Sequence, residues 1–304
     1  MERRILWLPL CSLLIAASTL ITSCGNGGDS LNRGTNNLTL DTILLDSRHH
    51  LDGDTANPYC DIRLQFVFPG SSGDTDLDTL QHYFVTALFG PAYEGLTPSG
   101  AVEAYVRNYV DNYTRDASIY RSTADRIIVQ ESPMVDDIHE QEFRDQSPTN
   151  SFYSYYENIS DTILYNHHGI ISFQVRQSNN KGGATSYQLY RNHVFNLKRG
   201  VPVTESDLFN AGYDTALRQI LITSILEQNG VKSIEELEEL GFFGIREIVP
   251  NSNFLLNDEG ILYTFNKGEY SAYQLDAPEV MIPYASVRSL LRENSVASKL
   301  ADLK

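Results

Sequence analysis

Cys60-Asp61-Ile62-Arg63-Leu64-Gln65-Phe66-Val67-Phe68, with the run Leu77 to Phe89 that follows it, decides the fold class. Ile62, Leu64, Phe66 and Phe68 alternate with Arg63, Gln65 and Val67, the period of a strand with one buried face. Pro69-Gly70-Ser71-Ser72-Gly73 ends that strand, and Asp74, Thr75 or Asp76 is placed to cap a helix. The helix carries Leu77, Leu80, Phe84, Val85, Leu88 and Phe89 on one side and stops at Gly90-Pro91. A strand and a helix that each bury one face ask to be packed on each other.

Downstream, Val102, Tyr105, Val106, Tyr109, Val110 and Tyr113 recur at helical spacing. This tyrosine stripe reads as core, with a sugar-stacking platform as its functional alternative. From Ser118 to Leu197 the pattern turns to strands, at Ile127–Val129, Tyr153–Ile159, Thr162–Tyr165, Ile170–Gln174 and Tyr187–Phe195. Asn166-His167-His168-Gly169 and Asn179-Asn180-Lys181-Gly182-Gly183 read as hairpin connections, so these strands pair antiparallel. Helical character returns with Leu217, Ile220, Leu221, Ile225 and Leu226, then with a capping box at Ser233-Ile234-Glu235-Glu236. Phe254–Leu256, Ile261–Phe265 and Val280–Ile282 are short strands, and Ala285–Leu291 reads as the last helix. Strand clusters alternating irregularly with helix clusters give an α+β fold, with antiparallel sheets and helices packed on one face.

Upstream, Glu2-Arg3-Arg4 precedes the apolar run Ile5 to Ile21, which ends in Thr22-Ser23-Cys24. The run is short for a spanning helix, which needs about 20 apolar residues, and Pro9 interrupts it. A charged start, a greasy core and small residues at the cut make a secretory signal. With Cys24 at the cut it resembles a bacterial lipoprotein signal, which implies that Cys24 is acylated and becomes the mature N-terminus. The expected location is then the cell envelope, lipid-anchored at the outer membrane and facing the periplasm. Gly25 to about Leu51 is rich in Gly, Asn, Asp and Ser and suits a tether, although Leu38, Leu40, Ile43 and Leu44 are placed to add a strand to the folded body.

The formal charge of the 304 residues is −16, becoming −17 once the segment before Cys24, with Arg3 and Arg4 against Glu2, is removed. That argues against nucleic acid, whose binders cluster Lys and Arg, and favours encounter with a cationic partner. Of three cysteines, Cys11 leaves with the signal and Cys24 takes lipid. Cys60 remains alone, best read as a small buried hydrophobe. Packing must therefore hold the fold, and 18 Tyr and 13 Phe supply apolar area for it.

Motifs for chemistry are sparse. His49-His50 and His167-His168 are adjacent pairs, which on a strand point to opposite faces, and no His-x-x-x-His occurs. Gly-x-Ser-x-Gly, a phosphate loop and a dinucleotide fingerprint are also missing from the sequence. Neither a metal nor another cofactor is expected. Two carboxylates about 5–10 Å apart suffice for glycoside hydrolysis, but 39 Asp and Glu make accidental pairs common. Glu235, Glu236, Glu238 and Glu239 read as the wet face of a short helix.

Asn253-Phe254-Leu255-Leu256-Asn257-Asp258-Glu259-Gly260-Ile261-Leu262-Tyr263-Thr264-Phe265-Asn266, continuing into Glu269-Tyr270-Ser271-Ala272-Tyr273 and Val280-Met281-Ile282-Pro283-Tyr284, resembles the C-terminal domain of RsiV-like extracytoplasmic proteins. Gly182-Gly183-Ala184, Phe195-Asn196-Leu197, Gly200 and Glu205-Ser206-Asp207-Leu208-Phe209 extend the match, although Thr185 stands where that family usually has histidine. Cys60 to about Tyr165 is similar to the companion domain of PdaC-type peptidoglycan deacetylases. The resemblance implies two related α+β parts, a companion domain at 57–180 and an RsiV-like domain at 181–304, behind a signal at 1–23 and a tether at 24–56. It also implies recognition of lysozyme, as in that family's best-known member. Sigma-factor binding does not carry over to a chain whose mature start is an acylated Cys24, nor does deacetylation without the esterase domain.

The expected function is therefore a non-enzymatic envelope lipoprotein that binds a basic protein such as lysozyme, or a peptidoglycan-related glycan. A cell-wall hydrolase or other glycan-directed enzyme is the alternative. Gly182, Gly183 and Thr185, on a glycine-rich hairpin, and the aromatic Tyr270 and Tyr273 are the candidate contact residues, each with a structural reading beside it: a plain tight turn and core packing.

Overall fold

A computed structural model describes residues 35–73, 75–131, 154–181, 186–272, 275 and 277–303, with the backbone alone over 119–131. Cys24, Gly182, Gly183, Thr185 and Tyr273 lie outside the described residues. The fold is α+β, with one six-stranded sheet, one three-stranded sheet and helices.

The six strands are β1 (Leu38–His50), β2 (Tyr59–Ser72), β3 (Tyr155–His167), β4 (Ile170–Lys181), β5 (Tyr187–Asn196) and β6 (Val201–Pro202), adjacent in that order. The apolar alternation of Ile62, Leu64 and Phe66 is realised as fully or nearly fully buried side chains, with Arg63 and Gln65 on the opposite face. β1 is built from the latter part of the stretch read as a tether: Leu38, Leu40, Ile43 and Leu45 pack half-buried against the core. β2 does not end at Pro69. It runs on to Ser72, and a bulge at Thr39/Leu40 absorbs the irregularity.

Antiparallel pairing holds for every neighbouring pair in this sheet except β2 and β3, which are parallel. The exception follows from the connection. A tight hairpin returns the chain antiparallel, whereas β2 reaches β3 through two helices, α1 (Leu77–Phe89) and α2 (Pro98–Glu131). Asp76 is the residue that caps α1, accepting from Thr79 N at 2.8 Å. His168 and Gly169, with φ of 56° and 79°, make the two-residue turn between β3 and β4. The 180/181 division expected from the sequence falls at the last residue of β4, which pairs with β5 from Ile170↔Asn196 to Asn179↔Tyr187, so the sheet is continuous across it.

α1 and α2 cover one face of the sheet. Phe84 stacks on Phe173 with centroids 4.1 Å apart, and Phe66 meets Phe89 edge-on at 5.2 Å. Tyr113 of the tyrosine stripe is 2 % exposed and packs beside Cys60 and Tyr155. α2 continues through Ile127–Val129, which the sequence placed in a strand. No Gly or Pro interrupts Ala101 to Ser132, so the hydrogen-bond ladder propagates over residues of β propensity.

The second core lies on the other side of β4 and β5. Its three-stranded antiparallel sheet consists of β7 (Phe254–Leu256), β8 (Gly260–Thr264) and β9 (Glu279–Pro283). α3 (Glu205–Leu208), α4 (Asp214–Gln228) and α5 (Ile234–Glu239) come before it in the chain, and α6 (Tyr284–Val287) and α7 (Val296–Ala301) follow it. Tyr165, Ile170 and Val194 of the large sheet share this core with Leu221, Leu256, Ile261 and Phe265. Gly260 is obligatory there, because a Cβ would stand 2.0 Å from the Ile282 carbonyl oxygen.

The helix expected over Ala285–Leu291 is only one turn long. Arg292 N donates to Leu208 O at 2.7 Å and Asn210 N to Leu290 O at 2.9 Å, so these backbone groups serve a tertiary bridge instead. The last helix is α7, capped by Ser295. No helix among the described residues is long and apolar enough to cross a membrane.

Candidate functional site

The second core covers the outer face of the large sheet at β4, β5 and the end of β3, where Tyr165 enters it. Side-chain amides and hydroxyls make that seam. Asn253 Oδ1 accepts from Asn192 N at 2.7 Å, while its Nδ2 donates to Tyr190 O at 3.1 Å and Thr264 O at 2.8 Å. Asn266 Oδ1 accepts from Tyr190 N at 2.7 Å, and Ser172 Oγ donates to Leu256 O at 2.8 Å. Asn253 and Asn266, which bracket the stretch that carries the family resemblance, thus satisfy the free edge of β5.

Over β1, β2 and the first part of β3 the same face stays open, because the alternation that buries Ile62 and Leu64 turns Arg63 and Gln65 outward. Register lines up three cross-strand rows: Arg48–Asp61–Tyr156, Asp46–Arg63–Asn158 and Leu44–Gln65–Ser160. Arg48 Nε and Nη2 donate to the Asp61 carboxylate at 2.5 and 2.6 Å, and Arg48 lies 4.0 Å over the Tyr59 ring. That guanidinium holds the Asp61 carboxyl below the ordinary carboxylate range. Arg63 Nε approaches Asp46 Oδ2 at 3.2 Å. On β4 the rows continue to Arg176, whose guanidinium lies 5.8 Å from the Tyr190 ring centroid.

The second and third rows border a shallow, open groove of about 370 Å³, lined by Leu44, Asp46, Arg63, Gln65, Asn158 and Ser160. Its volume falls within the roughly 300–1,000 Å³ of small-molecule sites. Its donors and acceptors are amide, hydroxyl and an internally compensated ion pair, the inventory that meets neutral polar groups. In a chain of formal charge −16, this patch is nearly balanced.

Among the described residues, the two carboxylates perturbed upward by burial lie on the opposite, helix-covered face. Glu157 is 3 % exposed, accepting from Tyr105 Oη at 2.9 Å and Gln177 Nε2 at 2.7 Å, and burial pushes it above its usual range. Asp161 is 1 % exposed and pushed up to about 7 by burial; its Oδ1 accepts from Val67 N at 2.7 Å and its Oδ2 has no partner. His193, stacked on Phe173 at 5.0 Å, is lowered to about 4, first by burial and then by Arg191. None of these three lines the groove. Sequence reading passed over Glu157 and Asp161, yet their signal was present: they share the alternation phase of buried Tyr155 and Ile159.

The other sequence candidates separate. Tyr270 meets Phe265 edge-on at 5.2 Å and packs against the second core, in line with its structural reading. His49 is within 2.9 Å of Ser47 Oγ, and His50 Nδ1 lies 3.0 Å from Asn57 O, so the pair diverges. Among the described residues, no three of His, Cys, Asp and Glu are arranged to hold a metal ion. Cys60 is fully buried, with its thiol pushed up to about 12 by burial and by Asp61. Ser233 caps α5 by accepting from Glu236 N at 3.3 Å, while the Glu236 carboxylate takes Lys232 N instead of closing the capping box. Glu235, Glu236, Glu238 and Glu239 are exposed.

The Glu205–Phe209 stretch of the resemblance is structural. Glu205, 7 % exposed, accepts from Tyr263 Oη at 3.0 Å, Tyr213 Oη at 2.9 Å and Ser252 N at 2.9 Å. α3 through β9, which this carboxylate helps to knit together, is also where the chain has a defined relative. Residues 206–285 match the family described as "Protein of unknown function (DUF3298)".

The DUF3298 match spans the second core and stops short of the open face, which is built from residues 44–160. A crystal structure of a DUF3298 family member from Bacteroides fragilis aligns with a TM-score of 0.75 at 26 % identity, covering 88 % of this chain and 99 % of that one. The similarity therefore extends well beyond the matched segment. A DUF3298 family protein from Pseudomonas aeruginosa shares the fold at a TM-score of 0.52 and 13 % identity, covering 84 % of this chain and 96 % of that one. No curated protein matches the chain.

Proposed function

We propose that this chain is a non-enzymatic envelope lipoprotein, acylated at Cys24, that holds a cell-wall glycan on the open face of its large sheet. The observation that carries the reading is the uncovered groove lined by Asp46, Arg63, Gln65, Asn158 and Ser160. Paired charges, amides and hydroxyls suit the hydroxyl and acetamido groups of a glycan. The buried carboxylates with raised proton affinity, which acid–base chemistry would recruit, lie across the sheet from it. The similarity to PdaC-type companion domains points to the same ligand class.

A basic protein such as lysozyme is the second reading, favoured by a formal charge of −16 and by the resemblance to RsiV-like ectodomains. The two make different demands. Glycan binding at the groove withstands moderate salt and is lost in Asn158→Ala combined with Gln65→Ala. Lysozyme binding falls steeply with salt and ignores that pair.

Co-sedimentation of the full chain with insoluble peptidoglycan and pull-down with lysozyme, each at low and moderate salt, decide between them. Retention of full peptidoglycan binding by the double variant removes the groove from the reading. Fatty-acid labelling of the native chain and of Cys24→Ser tests the anchor, with label expected on the native chain alone.

A further inference from the structure

The sheets treat their edges unequally. The β5 edge is closed by Asn253 and Asn266, and β6 is only Val201–Pro202. On β9, Gln228 of α4 bridges the outer backbone, with Nε2 donating to Glu279 O at 3.2 Å and Oε1 accepting from Met281 N at 3.1 Å. β1 is thirteen residues long and, among the described residues, pairs along its length with β2 alone. A long unpaired strand is a template for another strand.

The open backbone groups of β1 can be named. His50 is extended, at φ −81° and ψ 142°, and Leu51 N donates inward to Pro58 O at 2.9 Å. In an antiparallel ladder the odd-numbered residues 43–51 therefore turn their N–H and C=O toward β2. Leu44, Asp46, Arg48 and His50 turn theirs to the free edge.

We propose that a second copy of this chain occupies that edge, pairing β1 antiparallel with β1 about a two-fold axis at Ser47. Charge selects the partner and the register. Centring on Asp46 or Arg48 sets like charges against themselves, and centring on Leu45 sets Asp46 against Leu44. Centring on Ser47 sets Asp46 of each copy opposite Arg48 of the other, twice by symmetry. Since Arg48 already pairs with Asp61 and Asp46 with Arg63, the row becomes Asp61–Arg48–Asp46–Arg63 across the interface, alternating in sign throughout. Leu44, 61 % exposed in a single copy, then meets the His50 side chain. The two open faces join into one, independently of what they bind.

In this register Ser47 and its mate form a non-hydrogen-bonded pair with Cα atoms about 4.5 Å apart. That lies within the roughly 4.4–6.8 Å a disulfide spans. The test is oxidation of envelopes carrying the full chain with single substitutions Thr42→Cys, Leu44→Cys, Ser47→Cys or His49→Cys, read as covalent dimer on non-reducing gels against the unsubstituted chain. Cross-linking is expected to peak at Ser47→Cys, at least about tenfold above Thr42→Cys, and to vanish when Asp46→Arg is added. A maximum elsewhere, or no dimer above background at any position, overturns the proposal. Sedimentation of the full chain in detergent supplies a readout free of cysteine: native dimer and Asp46→Arg monomer are expected, and a monomeric native chain equally overturns it.

Discussion

The two faces of the large sheet come from the same strands and obey different economies. On the helix-covered face, Phe66, Phe173, Val175 and Phe195 are nearly inaccessible, and the polar exceptions among them (Glu157, Asp161, His193) have their proton affinities moved by burial. On the open face, Asp46, Arg63 and Gln65 are exposed and Asn158 is half-buried, and Asp46 pairs with Arg63. Identical residue types are thus strained on one side and inexpensive on the other. Environment, not residue identity, decides which carboxylate matters for stability.

The largest expected effect tests the packed side. Phe173→Ala removes a fully buried ring stacked on Phe84 and should cost about 3–5 kcal/mol in urea unfolding. Asn158→Ala on the open face should cost no more than about 0.5 kcal/mol. Equal losses would break the contrast.

Asp161 gives the next effect and a pH signature. Its proton affinity is raised in the fold to about 7, so its contribution is fully present below about pH 4 and is lost as pH rises through 7. Asp161→Asn should therefore stabilise the protein at pH 8, on the order of 2–4 kcal/mol, with the gain shrinking toward pH 4. Thermal melts across that range check the slope, and a gain that grows on acidification contradicts the assignment. His193 acts in the opposite sense. Lowered to about 4, it contributes stability above pH 6.5 that is lost as pH falls toward 4.

The seam between the cores comes third. Asn253→Ala leaves Asn192 N, Tyr190 O and Thr264 O without the amide they share, and should cost about 2 kcal/mol. Hydrogen exchange should rise first at residues 190–192. The smallest effect is Arg63→Ala, whose ion pair with Asp46 is exposed on both sides. A change below about 0.5 kcal/mol that disappears in salt is expected.

Much of this architecture was legible in periodicity. The β2 alternation, the α1 stripe, the His168-Gly169 hairpin and the short strands β7 to β9 are local patterns, and each appears near where its pattern lies. Two helix lengths were not legible in that way, for different reasons. α2 continues over Ile127–Val129 because a ladder unbroken by Gly or Pro carries through residues of β propensity, and the helix after Pro283 is short because its backbone groups bond to residues distant in the chain; the strand at β1 was already suggested by its leucines and isoleucine. The site was harder still. Glycine and tyrosine drew attention to residues 182–185 and 270–273. The groove is assembled from strands whose polar residues, read singly, look like ordinary solvated positions.

The sequence alone determined the α+β class, the amphipathic phase of the long strands and the acidic surface, because these are set by residue type at a fixed local spacing. Tertiary structure alone decided that β2 and β3 run parallel, that the second core shelters β4, β5 and the end of β3 while leaving β1 and β2 bare, and that Asp46 faces Arg63. Those outcomes depend on which strands become neighbours, and in what register, across gaps that local spacing does not encode.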